Sequence, residues 1–212
     1  MNIDAILDEI KTRRRVFVSE ADFQLELAWT IREMYPQYRI RLEYVPPFDK
    51  KMHIDIVVFT DEGIIPIELK YKTKACFLID NGEEFVLTSH LAKDCGCYDY
   101  LKDIERIEKL KPCLNGFLKG YAIMLTNDGS YRTAPQNKSC IYYPFSIHEN
   151  AVKKNKLEWP KSASSGTIRA REKPIELSGS YTMKWNTYSK LEGKNGTFYI
   201  MYNEIIKTAA RV

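Results

Sequence analysis

Residues 52–72 read MHIDIVVFTDEGIIPIELKYK, and this stretch decides the fold. Two runs rich in Ile and Val flank a polar turn at Thr60–Gly63, a pattern that predicts a β-hairpin. A sheet favours β-branched and aromatic residues, yet charged side chains interrupt both strands. These charged residues are Asp55, Glu68, Lys70 and Lys72.

The turn sets the register of the hairpin. It pairs Phe59 with Ile64, and the same register places Asp55 opposite Glu68. Pro66 has no N–H, so we expect its rung, and by alternation the Asp55–Glu68 rung, to be non-hydrogen-bonded. Cα atoms approach to about 4.5 Å at such rungs. Two carboxylates this close repel each other unless a cation lies between them.

Side chains alternate along a strand, so the hairpin has two different faces. Asp55 and Glu68 share one face, and Lys70, Lys72 and His53 lie on the same side. The opposite face is expected to be core. Its predicted members are Ile54, Ile56, Val58, Ile65, Ile67 and Leu69.

A helix is predicted over residues 20–34. Ser19 and Asp22 resemble a capping box at its start, and Pro36 ends it. Glu20 falls on the apolar stripe of this helix, so its carboxylate is expected to point toward the sheet.

The acidic pair in the hairpin predicts a metal site. Two carboxylates with open water positions suit Mg²⁺ or Mn²⁺, which bind phosphate and lower the pKa of bound water. Lys70 would orient or deprotonate the water, or stabilise charge on the phosphate, and Glu20 would complete the shell. The alternative is an exposed Glu–Lys pair of little consequence.

The composition is that of an ordinary globular chain. It has 212 residues, of which 44% are hydrophobic and 28% charged, and a net charge of +4. No apolar run is long enough to span a membrane, and the acidic start does not resemble a signal peptide, so a cytoplasmic location is expected. The cysteines are expected to be reduced and packed. A zinc site at Cys95 and Cys97 with His90 and Cys113 is the weaker alternative, because the spacing is not that of a CxxC pair.

The rest of the chain predicts one α/β domain over residues 1–212. Short strands are expected at 39–44 and 120–126, a helix at 92–111 and a final strand at 197–203. The resulting order is α-β-β-β-α-β, with helices packed on a central mixed sheet. Residues 129–195 are predicted to be a loop-rich elaboration of this core.

That elaboration is basic. Residues 150–195 contain ten Lys or Arg against four Glu, together with several aromatic residues. Such a mixture suits nucleic acid, and an equally good alternative is a solvated insertion whose aromatics pack inward. The candidate phosphate-binding residues are Lys153, Lys154, Lys161, Arg169 and Arg171.

The constellation of Glu20, Asp55 and Glu68-Leu69-Lys70 resembles the PD-(D/E)XK nuclease superfamily, which has the restriction-endonuclease-like fold. The likeness covers roughly residues 18–128. Asp55 follows Ile54 here, not the proline of the family's name.

The resemblance implies a Mg²⁺- or Mn²⁺-dependent nuclease, with DNA favoured over RNA. Asp55 and Glu68 would bind the metal, with Lys70 and Glu20 completing the catalytic set, and a homodimer is one expected form. The competing hypothesis is a catalytically idle module of the same fold that binds nucleic acid or a protein. Ordinary helix pairing is the favoured explanation of Asp103 with Arg106. The candidate supporting residues are Gln24, Lys72, His53, Tyr98, Asp103 and Arg106.

Overall fold

A computed structural model describes residues 1–206 of the chain. Its architecture is mixed α/β, as predicted, with a central mixed sheet flanked by helices. Within the described range, no helix has both the length and the apolar character needed to span a membrane. The helices are α1 (Ile3–Arg13), α2 (Glu20–Met34), α3 (Lys93–Cys113) and α4 (Ser165–Ile168). The strands are β1 (Arg39–Tyr44), β2 (Ile54–Phe59), β3 (Ile64–Lys72), β4 (Cys76–Asp80), β5 (Glu83–Leu87), β6 (Lys119–Thr126), β7 (Val152–Leu157), β8 (Ile175–Thr182), β9 (Trp185–Lys190) and β10 (Thr197–Ile206).

The central sheet has six strands in the order β1-β2-β3-β6-β10-β9. Among the described strands of this sheet, only β3 and β6 are parallel neighbours, and α3 lies in the connection between them. The other neighbouring pairs are antiparallel. The remaining described strands form two separate two-stranded ribbons, β4–β5 and β7–β8. Neither ribbon was predicted from the sequence.

Helix α2 has the predicted bounds. The Ser19 hydroxyl accepts a hydrogen bond from the Asp22 amide at 3.1 Å, which caps the first turn. The chain leaves the helix at Tyr35, because Pro36 disfavours a helical residue before it. Local signals alone therefore fix this helix and the direction of Glu20 at its first turn.

Both faces of the sheet are buried. Helices α1 and α2 cover one face, and α3 with the β7–β8 ribbon covers the other. Helix α3 comes very close to β6, since a Cβ added at Gly120 would lie 2.4 Å from Ile107 Cγ2. Two charged residues of the hairpin, Glu68 and Lys70, consequently face this helix and not open solvent.

One predicted core residue lies on the wrong face. Ile56 and Val58 pack under α1 and α2 as expected, but Ile54 packs with the α3 core. Glu43, on the neighbouring β1, has a φ of 48°, which interrupts the strand alternation. Tyr44 and its cross-strand partner Ile54 therefore both turn toward the α3 side.

The segment 129–195 is more ordered than the loop-rich elaboration we predicted. Strand β9 forms the outer edge of the central sheet, and β8 packs on α3. The ribbon is anchored by Glu108, whose carboxylate accepts from the Ser178 and Gly179 amides at 2.8 and 2.7 Å and from the Tyr181 hydroxyl at 2.7 Å. The long α3 thus serves as the platform for the ribbon.

The first residues of the chain contact the last two strands of the sheet. The Tyr188 and Ser189 hydroxyls each donate to backbone carbonyls in the Arg14–Arg15 segment at 2.5 Å. The Tyr202 hydroxyl donates to Asp4 in α1 at 2.6 Å. Elements nearly 200 positions apart in sequence therefore meet on one side of the sheet.

We expect Glu108→Gln to destabilise the protein by about 2–4 kcal/mol. The side-chain amide of glutamine would present N–H donors to the two backbone amides and the hydroxyl that donate to Glu108. Urea denaturation measures the loss, and amide hydrogen exchange at Ser178 and Gly179 reports detachment of the ribbon. Glu83→Gln, at an exposed position of β5, is the control and should change stability by less than about 0.5 kcal/mol. Equal stability of the two variants would contradict the anchoring role of Glu108.

Candidate active site

The pairing of β2 with β3 stops partway along the hairpin. It follows the predicted register from Phe59–Ile64 to Ile56–Ile67 and goes no further. Strand β3 continues to Lys72, paired only with β6 on its other side. On the side of β2, the last residues of β3 therefore face a gap, where their backbone amides have no partner strand among residues 1–206.

Two carboxylates take the place of the missing strand. Asp55 Oδ2 accepts from the Leu69 amide at 2.6 Å, and Glu20 Oε2 accepts from the Tyr71 amide at 2.7 Å. Gln24, one turn after Glu20 on α2, donates to the Asp55 carbonyl at 2.6 Å. The structure thus brings Glu20, Gln24 and Asp55 together at the gap.

This geometry corrects the predicted rung between Asp55 and Glu68. The ladder ends one pair earlier, and the Asp55 carboxylate turns toward the Leu69 amide rather than standing opposite Glu68. In place of a further backbone pair, the Asp55 side chain accepts from the Leu69 amide, and Gln24 of α2 donates to the Asp55 carbonyl.

Glu68 and Lys70 point from β3 toward α3, where they meet Asp103 and Arg106. Arg106 Nε lies 3.1 Å from Glu68 Oε1, and Lys70 Nζ lies 2.6 Å from Asp103 Oδ2. The favoured helix pairing is also present, with Arg106 Nη2 at 3.3 Å from Asp103 Oδ1. The two α3 residues therefore belong to the site as well as to their own helix.

The cluster carries an excess of negative charge. Four carboxylates face two cations, so the net charge is −2 when every group is ionised. The Glu68 side chain is fully buried and that of Asp103 is 6% exposed, so little of this charge is screened by water. The carboxylates are Glu20, Asp55, Glu68 and Asp103, and the cations are Lys70 and Arg106.

Burial and neighbouring charges shift the pKa values of three groups. Burial raises the pKa of Glu68 well above its usual range, and the charge of Asp103 raises it further against the opposing Arg106. Burial also raises the pKa of Asp103 to about 6, although Lys70 and Arg106 oppose the shift. Burial alone would lower the pKa of Lys70, but the charges of Asp103 and Glu20 outweigh it and raise that pKa. Lys70 is therefore an ammonium.

The donor set suits a hard divalent ion with few protein ligands. Glu68 Oε1 is buried and, among residues 1–206, has no partner in hydrogen-bond geometry, although Arg106 lies within ion-pair distance. Over residues 1–206, no group of three or more His, Cys, Asp or Glu side chains is arranged to hold a metal. An ion held by Asp55 and Glu68 would therefore complete its shell with water, as Mg²⁺ commonly does.

The other candidate residues have different surroundings. Tyr98 lies away from the site, which corrects the prediction that it supports the catalytic residues. Its ring stacks on Trp159, and its hydroxyl donates to the Lys173 carbonyl at 2.7 Å. His53 is exposed, and only its carbonyl meets Arg106, at 3.1 Å.

The sequence pattern indicates no partner for His90 near the site. Its Nδ1 accepts from the Thr73 amide at 3.0 Å, and its own amide donates to the Thr73 carbonyl at 2.7 Å. Burial and the charge of Lys72 lower the pKa of His90, against the opposing charge of Glu20. His90 thus lies beside the site, and its partner is separated from it by the whole β4–β5 hairpin, so no local signal could have shown the pairing.

The basic segment offers fewer free cations than its composition suggests. Lys153 is only 7% exposed, and its ammonium donates to the Pro144 carbonyl at 2.9 Å. The prediction that it binds phosphate at the surface was therefore wrong. Arg171 forms a bidentate pair with Asp99. The aromatic residues pack inward, as in the second alternative. Those buried are Tyr181, Trp185 and Tyr188, and the candidates that remain exposed are Lys154, Lys161 and Arg169.

Comparison of the chain with family models, with curated proteins and with solved structures finds no match. The function proposed below therefore depends on the site and on the sheet topology alone.

We expect Lys153→Met to raise the free energy of unfolding at neutral pH, by about 3 kcal/mol at most. Burial lowers the pKa of Lys153 to about 8 from its usual 10.5. Between these two pH values the unfolded chain holds a proton that the folded chain has released, so the wild type gains stability as pH rises.

Urea denaturation over this pH range checks the effect: the advantage of the variant should be full below pH 8 and shrink toward 10.5. Lys154→Met removes an exposed neighbour and should show no such pH dependence. An advantage independent of pH would contradict the assigned pKa.

Proposed function

We propose that the protein is a metal-dependent nuclease that hydrolyses phosphodiester bonds, with DNA favoured over RNA as substrate. The observation that carries the proposal is the meeting of four carboxylates with two cations at the break between β2 and β3. One divalent cation would neutralise the excess of two negative charges that this cluster has when every group is ionised. A lysine ammonium lies within the same cluster, where it can meet a phosphate.

The topology supports a restriction-endonuclease-like fold. Helix α2, strands β1 to β3, helix α3 and strand β6 follow one another in the expected α-β-β-β-α-β order, with the β4–β5 hairpin inserted. The four core strands are adjacent in the sheet in chain order. The residues that resemble the family motif lie together at one break in this sheet. A chance resemblance in sequence would give no reason for them to meet.

Each residue has a defined part in the proposed hydrolysis. Asp55 and Glu68 would hold the ion, which supplies Lewis acidity and an activated water. In this hydrolysis the water oxygen would bond to phosphorus as the P–O bond breaks, and the proton released from the water would pass through solvent to the leaving oxygen. Gln24 and Glu20 fix the position of Asp55 and of the β3 backbone from α2.

Lys70 would act by its charge. Asp103 holds its ammonium at 2.6 Å, and the raised pKa keeps the proton on nitrogen at neutral pH. A protonated lysine cannot accept a proton from water, so stabilisation of the phosphate charge is the role that fits this geometry.

A second candidate is a non-catalytic module of the same fold that binds nucleic acid or a protein. The contact of Arg106 with Glu68 favours it, since a guanidinium can neutralise that carboxylate without any metal.

We expect Asp55→Asn and Glu68→Gln each to reduce cleavage on the order of 1,000-fold, because each removes an anionic metal ligand. Asparagine can still accept from the Leu69 amide, so Asp55→Asn should keep the wild-type melting temperature. Asp61→Asn, in the exposed hairpin turn, is the matched control and should cleave normally. Cleavage by folded Asp55→Asn at the wild-type rate would refute the assignment.

A thermal melt with and without millimolar Mn²⁺ or Mg²⁺ separates the two candidates. An ion that binds only the folded protein stabilises it by about 2.7 kcal/mol at 100 times its dissociation constant, so the melting temperature should rise by several degrees. The shift should vanish in Asp55→Asn. The absence of a shift in the wild type with either ion would favour the non-catalytic module.

A further inference from the structure

Arg106 is the closest cation to the most deeply buried carboxylate of the site. The Glu68 side chain is fully buried, and Arg106 Nε is 3.1 Å from its Oε1. An unpaired charge in such a place costs several kcal/mol. Without a metal, the Arg106 guanidinium is the nearest group that can offset part of this cost.

The Glu68–Arg106 contact is a poor ion pair by the standard of this same protein. Arg106 Nη2 lies 3.4 Å from Glu68 Oε2 and 3.3 Å from Asp103 Oδ1, so one group is shared between two carboxylates. Arg171 instead meets both oxygens of Asp99 at 2.7 Å. Good bidentate pairs have distances of about 2.7–2.9 Å. Arg106 thus leaves Glu68 incompletely satisfied, and Glu68 Oε1 has no partner in hydrogen-bond geometry.

Arg106 also has a route away from Glu68. Its side chain is 30% exposed, and Nη1 donates to the carbonyl of the exposed His53 at 3.1 Å. The guanidinium therefore reaches the rim of the cluster. A rotation of its long side chain can move the charge toward solvent without unfolding α3.

We propose that Arg106 exchanges partners: it holds Glu68 when no metal is bound, leaves when a divalent ion takes that carboxylate, and then binds a phosphate of the nucleic acid. A divalent ion at the same carboxylate oxygen would repel the guanidinium, and this repulsion weakens the contact of Arg106 with Glu68. The planar fork of the released guanidinium matches a phosphate in two hydrogen bonds. This inference rests on the proposed function and specifies how the site is controlled.

The first test is calorimetric titration of Mn²⁺ into the protein without nucleic acid. Arg106→Gln removes the competing charge, so its dissociation constant for Mn²⁺ should fall about tenfold. Arg171→Gln removes the same charge from an ion pair of helix α3 with the segment before β8 and should leave the constant unchanged. Equal or weaker Mn²⁺ binding by Arg106→Gln, with normal binding by the wild type, overturns the inference alone. No Mn²⁺ binding by either protein refutes the proposed function itself.

The second test concerns the phosphate. At saturating Mn²⁺, Arg106→Gln should raise KM for a nucleic-acid substrate about tenfold, with a smaller change in kcat. An unchanged KM would overturn this half of the exchange.

A crystal of the wild type soaked with Mn²⁺ tests the exchange even if the variant fails to fold. Anomalous density beside Asp55 and Glu68, with the Arg106 guanidinium more than 4 Å from Glu68, supports the exchange. Density there with Arg106 still on Glu68 overturns it.

Discussion

The amides at the end of β3 set the constraint on which the site depends. Leu69 and Tyr71 present N–H groups to a side where no strand follows, and buried donors of this kind require acceptors. Asp55 and Glu20 supply them as carboxylates. The groups that complete the backbone hydrogen bonds are therefore also those that concentrate negative charge at one point of the sheet.

Helix α3 covers part of this charge and contributes ion-pair partners to it, which makes a buried network of ion pairs. Because Gly120 lets the helix come close to β6, Glu68 and Lys70 lie under it, shielded from water. The same helix brings Asp103 and Arg106, so one acid and one base are added and the negative excess persists. On the far side of α3, Glu108 anchors the β7–β8 ribbon.

The fold was predictable where local rules decide it. The Ser19 cap and Pro36 gave α2 its correct bounds, and the turn gave the hairpin its register as far as Ile56–Ile67. The site was predictable in its members more than in its geometry, because residues of another element, α2, hold Asp55 and the Tyr71 amide. The β7–β8 ribbon was missed because β7 is mostly polar, with the sequence VKKNKL, and because the anchor of the ribbon on α3 is more than 60 positions away in sequence.

The contacts between α1 and the strands β9 and β10 have a consequence for assembly. Asp4 meets Tyr202, and β10 pairs with β6, so much of the sheet closes through partners remote in the chain. Bringing such distant segments together costs loop-closure entropy before their contacts can form, and this cost slows folding. During synthesis, α1 therefore leaves the ribosome well before β10, and its contact with that strand forms late.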